Sequence, residues 1–454
     1  MSDMRSIDRE SKKRQLRSNI VQLPNQSRQV FYEEEEDSEE VIRQYQSGKR
    51  KKQVMVLTVV ALFVAIAVFC FYRYQKEYRY TEYEVVWEHA MRYVDPSTTQ
   101  SEDVEAGEES GLEAGAANKN VGDTGFVKFA YFGENMVKYT KDGATYIDAS
   151  GKNIWTQSYE MKSPVVNVNG DYVIIVDQQG NDIYICNTSG CTGIAKTQLP
   201  ITKAAVSSKG VTAAIVEDST ASYIFYFKKD GDELGINIKM LLSGDGYPLD
   251  LALSPDGQQI VMSVMYMTKG ALKNKVVFYD FSEIGKNVNN RFVGGFEEEF
   301  DDKMVARVRY LNDETVCAFS DKGLTFISVK DVIPDVNVIS VPVEEEIVSI
   351  CYSDKYAATV VENPSGNPYR LDVYETNGEQ KVSFDFDFDY TDVKIDGEKI
   401  FLYNEESCRV YNMDGNLKFD DRLDFAISCI RDSKKHMNSM IVAGGEVMKE
   451  LKLK

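Results

Sequence analysis

The chain has 454 residues and a formal net charge of −20, with 27% charged and 43% hydrophobic residues. That length excludes a small disulfide-stapled scaffold and leaves room for one large domain or two ordinary ones. The acidity lacks the basic footprint of a nucleic-acid binder, so no nucleic-acid partner is expected.

Residues 1–52 hold 12 Lys and Arg against 10 Asp and Glu, which leaves −22 for everything that follows. A basic block at 9–17 and an acidic one at 33–37 offer too little apolar surface for a core, so a disordered cytoplasmic tail is expected over 1–52. Its basic block suits anionic lipid heads only if the tail lies at a membrane.

A membrane lies next in the reading. Residues 54–72 run VMVLTVVALFVAIAVFCFY, 19 residues without a charge, of which 12 are Val, Leu, Ile or Phe. As a helix this run spans roughly 28 Å, the thickness of a bilayer's hydrocarbon core. Insertion is favoured by roughly 4 to 7 kcal/mol on a biological insertion scale. A transmembrane helix is therefore predicted over 53–72. Lys49, Arg50, Lys51 and Lys52 flank its start, whereas Arg73, Lys76 and Arg79 are interleaved with Glu77 and Glu82, which favours an N-terminus inside. The exit Val68-Phe69-Cys70-Phe71-Tyr72 lacks a small-x-small cleavage site, and bulky Phe69 disfavours lipidation of Cys70, so the segment is read as a retained anchor. The predicted location is the cell membrane, single-pass, with the C-terminal domain extracytoplasmic.

Residues 73–125 divide into a strand and a linker. The stretch from Tyr80 to Glu88 is aromatic and β-branched, as strands are, whereas 95–125 is mostly Ser, Glu, Gly, Ala and Asn, as flexible linkers are.

From Phe126 onward, short runs of β-branched, aromatic and aliphatic residues alternate with Gly, Asp or Asn turns, and no helical period persists. They group into units of roughly 30 to 55 residues. One run recurs in corresponding positions: 144–148, 182–186, 223–227, 276–280, 324–327, 371–374 and 408–411, with a closing unit from Asp424. All-strand repeats of this length predict an all-β fold, a β-propeller of about eight four-stranded blades over 126–454, with seven as the alternative. The last unit stops one strand short, and the stretch from Tyr80 to Glu88 is expected to supply it, locking the ends of the ring together.

Tyr146-Ile147-Asp148-Ala149-Ser150-Gly151-Lys152-Asn153-Ile154-Trp155 resembles the repeat of quinoprotein-type propellers, and Leu253-Ser254-Pro255-Asp256-Gly257 is similar to a turn of periplasmic translocation propellers. The whole layout resembles an uncharacterised family of membrane-anchored propellers of Gram-positive bacteria, a domain of unknown function in the quinoprotein-like and WD-repeat-like superfamily. Gly246-Tyr247-Pro248-Leu249-Asp250 and Phe292-Val293-Gly294-Gly295-Phe296 belong to that resemblance. It implies no activity. A single Trp-bearing repeat and the lack of an adjacent cysteine pair set the chain apart from quinone-dependent dehydrogenases, and no cofactor is expected.

Candidate chemistry is sparse. Phe384-Asp385-Phe386-Asp387-Phe388-Asp389-Tyr390 alternates with period two, which puts Asp385, Asp387 and Asp389 on one face of a strand and the rings on the other. Three carboxylates about 7 Å apart suit a Ca²⁺ ion; the plainer reading is an outer strand with solvated aspartates and rings buried between blades, since no calcium-loop pattern follows. Cys186 and Cys191, separated by a four-residue turn after a strand-like run, are the one suggested disulfide among six cysteines beyond the anchor. The only histidines, His89 and His436, are too few for a zinc site, and no hydrolase, phosphate-loop or metalloprotease motif occurs. No catalytic residue is expected. The sequence points to a binding or scaffold module for protein or cell-envelope ligands; the alternative is an envelope oxidoreductase or hydrolase with its site at the channel mouth.

Overall fold

The computed structural model describes residues 54–74, 77–90, 126–148, 151–329, 334–335, 338–364, 366–445 and 447–454. The expected disordered tail at 1–52 and linker at 95–125 lie outside the described residues. The chain divides into two units, 1–76 and 77–454.

In the first unit, Val54–Tyr74 is one apolar helix of 21 residues, long enough to cross a membrane. Its apolar side chains are exposed around the whole circumference, so the helix lacks the polar stripe of a surface helix in a soluble domain. Thr58, one of its few polar groups, turns its hydroxyl back to the Val54 carbonyl at 2.8 Å.

The second unit consists of eight antiparallel four-stranded sheets. Seven are continuous in sequence: 128–158, 164–196, 201–241, 247–296, 305–342, 347–386 and 392–422, here blades I to VII. The seven corresponding runs of the sequence fall on the third strands of blades I to VII, apart from Asp148, which follows its strand. Blade VIII is composite: Cys429–Asp432, Ser439–Ala443 and Val447–Leu453 are joined by Tyr83–Ala90, which pairs with Val447–Leu453 as the outermost strand. The closing strand thus comes from the N-terminal side, as its composition suggested, two to three residues later than expected. Tyr80, Thr81 and Glu82 lie outside the ladder; their N–H groups bond the Lys418 and Lys454 carbonyls instead. The last blade's inner strand likewise begins at Cys429, because 424–428 loops out and Ile427 N–H bonds the Glu405 carbonyl.

The reason for a ring lies in the second strand of each blade. In Tyr172–Asp177, Val173 and Ile175 face blade I while Ile174 and Val176 face blade III, and all four are at most 2% exposed. A strand apolar on both faces must be covered on both, and a neighbouring blade on each side does so. Eight apolar clusters result, one for every pair of adjacent blades. They run from I–II around Val137 and Tyr146 to VIII–I around Met136, Ile441 and Met448. The sheet series has no open end.

Candidate binding surfaces of the ring

Inner and third strands run the same way in an antiparallel four-stranded blade. The third strand of blade VIII ends beside Lys454, whose carbonyl accepts the N–H groups of Thr81 and Glu82 at 2.9 and 3.1 Å. Residues 77–82 therefore enter the ring on the face where the inner strands end, called here the entry face.

On that face a cleft of about 230 Å³ opens among the ends of the inner strands of blades II to VI, lined by Asn167, Ala205, Leu251, Arg309 and Tyr352. Arg309 is its chemical centre. Its Nη1 donates to Asp250 Oδ2 at 2.8 Å and its Nε to the Tyr352 hydroxyl at 2.8 Å, so one guanidinium ties blades IV, V and VI together. Asp250 is 3% exposed and also accepts the Val308 N–H at 3.0 Å. Burial works against the Arg309 charge, but Asp250 and Tyr352 more than offset it and hold the group firmly protonated. The guanidinium of Arg309 is thus already engaged by Asp250 and Tyr352.

A second cluster joins the inner strands of blades VII, VIII and I. The Tyr131 ring lies 4.4 Å from Lys394 Nζ and 5.1 Å from the Arg431 guanidinium, while Arg431 Nη1 donates to the Gly133 carbonyl at 2.7 Å. Burial lowers the Lys394 pKa and pushes the neighbouring Cys429 thiol up to about 11, so this cysteine is no activated nucleophile.

A groove of about 740 Å³ opens on the outer rim between blades III and IV. One wall is the outermost strand of blade III, Glu233–Leu241, and the other is the third strand of blade IV, Ala271–Asp280, with the loop at 288–292. The opening arises because the outermost strand of blade IV, Phe292–Phe296, pairs only with 276–279, and residues 281–291 form two short 3-10 turns before it starts. Buried Asp280 shapes that loop by accepting the N–H groups of Ser282 and Gly285 at 2.8 and 3.0 Å. Asn290 and Arg291 both adopt positive φ, +52° and +58°, an uncommon conformation for side-chain-bearing residues. Ile238, Met240, Val277 and Tyr279 are buried in the floor, and burial pushes the Tyr279 hydroxyl up to about 12. Val288 and Phe292 remain 37% and 43% exposed on the lip.

The residues singled out by sequence are dispersed. Asp385, Asp387 and Asp389 are exposed while Phe386 and Phe388 are buried and Phe384 and Tyr390 pack on the same core. The alternation persists although the strand itself, Gln380–Phe386, ends before Asp387. Asp387 accepts from Arg409 Nη1 at 2.7 Å. Among the described residues, no group of three or more His, Cys, Asp or Glu is arranged to hold a metal ion. Cys186 and Cys191 are register partners across the third and fourth strands of blade II and are joined sulfur to sulfur.

Both histidines sit at the closing blade. His89 stacks on Trp87 with ring centroids 4.9 Å apart, and His436 Nδ1 is 2.8 Å from Glu450 Oε1. Glu450 is 1% exposed and also receives the Ser433 hydroxyl at 2.5 Å and the Trp87 side chain. Neither this network nor the rim groove was foreseen. The signal for the groove was the long interval between the recurring run of the fourth unit, 276–280, and Phe292.

The model of one family, described as a family of unknown function (DUF5711), matches residues 113–453. No curated protein matches. Solved structures of similar fold include BamB from Moraxella catarrhalis, at 12% identity and a TM-score of 0.44, covering 72% of this chain and 96% of that one. They also include the Dos1 propeller, at 9% identity and a TM-score of 0.47, covering 70% and 89%. A third is Sqt1 from Chaetomium thermophilum, bound to the N-terminus of ribosomal protein L10, at 9% identity and a TM-score of 0.46, covering 71% and 94%.

Proposed function

The chain belongs to this family of unknown function, DUF5711, and for it we propose a single-pass membrane protein that displays its propeller outside the cytoplasm as a binding module for a protein or cell-envelope ligand. The observation that carries the reading is the wiring of the chain: the apolar helix Val54–Tyr74 is followed within ten residues by Tyr83–Ala90, the strand that closes the ring. A tether attached to the one strand shared by both ends presents a rigid, closed scaffold rather than a flexible one.

Two further features support it. The Cys186–Cys191 bond is at home in an oxidising compartment, where such bonds persist. Arg309 and Asp250 at the channel mouth are engaged with each other, whereas a reaction centre needs convergent groups free to act on a substrate. The ring therefore works through its surfaces, not through chemistry at its centre. Membranes from cells making the full chain test the anchor: the protein stays in the pellet after alkaline carbonate extraction, and the chain lacking 54–74 does not. Release of both into the supernatant overturns the reading.

A further inference from the structure

We infer that the rim groove between blades III and IV is a docking site for an extended acidic segment of a partner protein, which adds to blade III as a fifth strand. The inference rests on the binding-module reading and gives it a place and a chemistry.

The argument starts from periodicity. Side chains on a strand alternate between two faces, yet five successive residues of the outermost strand, from Ile236 to Met240, all line the one groove. Only a groove that runs along the strand's edge touches both faces at once. That edge is open: Glu233–Leu241 has the third strand of blade III as its single neighbour. Its outward-facing N–H and C=O groups form a ready template for another strand. Five residues span roughly 16 Å, enough for a short extended peptide.

The groove also states what the added strand must carry. Its floor is the edge of the apolar core between blades III and IV, where the largely buried Ile238, Met240 and Val277 line the groove, and the exposed Val288 and Phe292 overhang it. An apolar side chain of the segment fits there. Among the lining residues, Lys239, Lys275 and Arg291 outnumber Asp245, a local excess of positive charge on a protein of net charge −20. Lys239 is exposed and lies 5.5 Å from the Tyr223 ring; Lys275 lies 3.6 Å from Glu297. Carboxylates of the incoming segment meet these cations, and the acidic remainder of the surface repels the same segment elsewhere. Asp280, through the N–H groups of Ser282 and Gly285, anchors the loop that carries the far lip.

The probe is a fluorescein-labelled nine-residue peptide alternating glutamate with leucine and valine, measured by anisotropy against the full chain in detergent. Three comparisons accompany it: the same peptide with lysine for glutamate, and two forms N-methylated at alternate residues on one edge or the other. The glutamate peptide binds at least tenfold more tightly than the lysine peptide, one N-methylated form loses binding while the other keeps it, and Lys239→Glu weakens binding several-fold with an unchanged melting temperature. Equal binding of both charge forms, equal loss in both N-methylated forms, or no binding at all overturns the groove assignment. Those failures leave the membrane-anchored binding reading standing, because carbonate extraction tests it separately.

Discussion

The junction between blades VIII and I and the junction between blades III and IV solve the same packing problem in opposite ways. At the first, the chain's two ends meet, and the contact is saturated. Tyr131 donates to the Ile441 carbonyl at 2.9 Å, Arg431 reaches the Gly133 carbonyl, Trp87 packs on the core, and buried Glu450 gathers Ser433, His436 and Trp87. At the second, the chain is continuous and closure is not at stake. There the outermost strand of blade IV is short, and a groove opens on the rim over the buried Met240 and Val277, with Val288 and Phe292 exposed on its lip. Polar contacts gather where the ring would otherwise come apart, and an exposed apolar lip is kept where connectivity already holds the blades.

The strongest break of this comparison is removal of Tyr83–Ala90 with the apolar helix retained. Seven paired positions and the Trp87 contact are lost, and a loss of roughly 5 kcal/mol lowers the melting temperature by about 10 °C or more. A melt within about 2 °C of the intact chain would mean that closure is not what holds the ring.

The Arg309–Asp250 pair comes next, because it ties blades IV, V and VI without a covalent seam to protect. Arg309→Ala leaves Asp250 charged and buried and costs about 3 to 5 kcal/mol in urea unfolding, whereas Arg309→Met combined with Asp250→Leu costs much less than the two single losses together. Additive losses would show that the pair acts as two independent contacts.

Glu450 sharpens the comparison through pH. Burial raises its pKa, but hydrogen bonds from Ser433, His436 and Trp87 and the charge of His436 outweigh that and hold it below the ordinary 4.5. A carboxylate depressed in the folded state stabilises the ring above about pH 4.5 and loses that contribution as pH falls through its folded value. At pH 7, Glu450→Gln costs about 1 to 3 kcal/mol; once the pH has fallen below the lowered folded value of Glu450, the variant and the natural chain converge. Parallel acid limbs would remove Glu450 from the seam's account.

The smallest effect belongs to the groove. Phe292→Ser, at a side chain 43% exposed, changes stability by less than about 1 kcal/mol in the same urea experiment. A larger loss would make the lip part of the fold rather than a surface kept for a partner.

The blades were legible because their second and third strands are buried on both faces. Runs such as Tyr172–Asp177 and Ala221–Phe227 must then be continuously apolar, and such runs stand out against Gly and Asp turns. The closing strand was legible by counting, since the last unit stops one strand short of a four-stranded blade. The seam network was not. Val447–Leu453 reads VMKELKL, the pattern of a half-solvated strand, yet Lys449 and Glu450 are 7% and 1% exposed, because Trp87 and the 433–436 turn cover Glu450 while Phe425, Glu88 and Asp424 engage Lys449. The groove was hidden for a similar reason. Its existence depends on how few residues of Phe292–Phe296 pair and on the loop fold set by Asp280, neither of which has a local composition signal.

The central claim is a closed binding ring held on the outer side of a membrane, and surface labelling tests it most directly. Glu379 lies exposed in a turn of blade VI, and apart from the exposed Cys70 of the helix the free cysteines are buried. A full chain carrying Glu379→Cys, treated with a membrane-impermeant maleimide, is labelled equally in intact and permeabilised cells, above the level of the unsubstituted chain. Labelling that appears only after permeabilisation would place the ring inside and contradict the account.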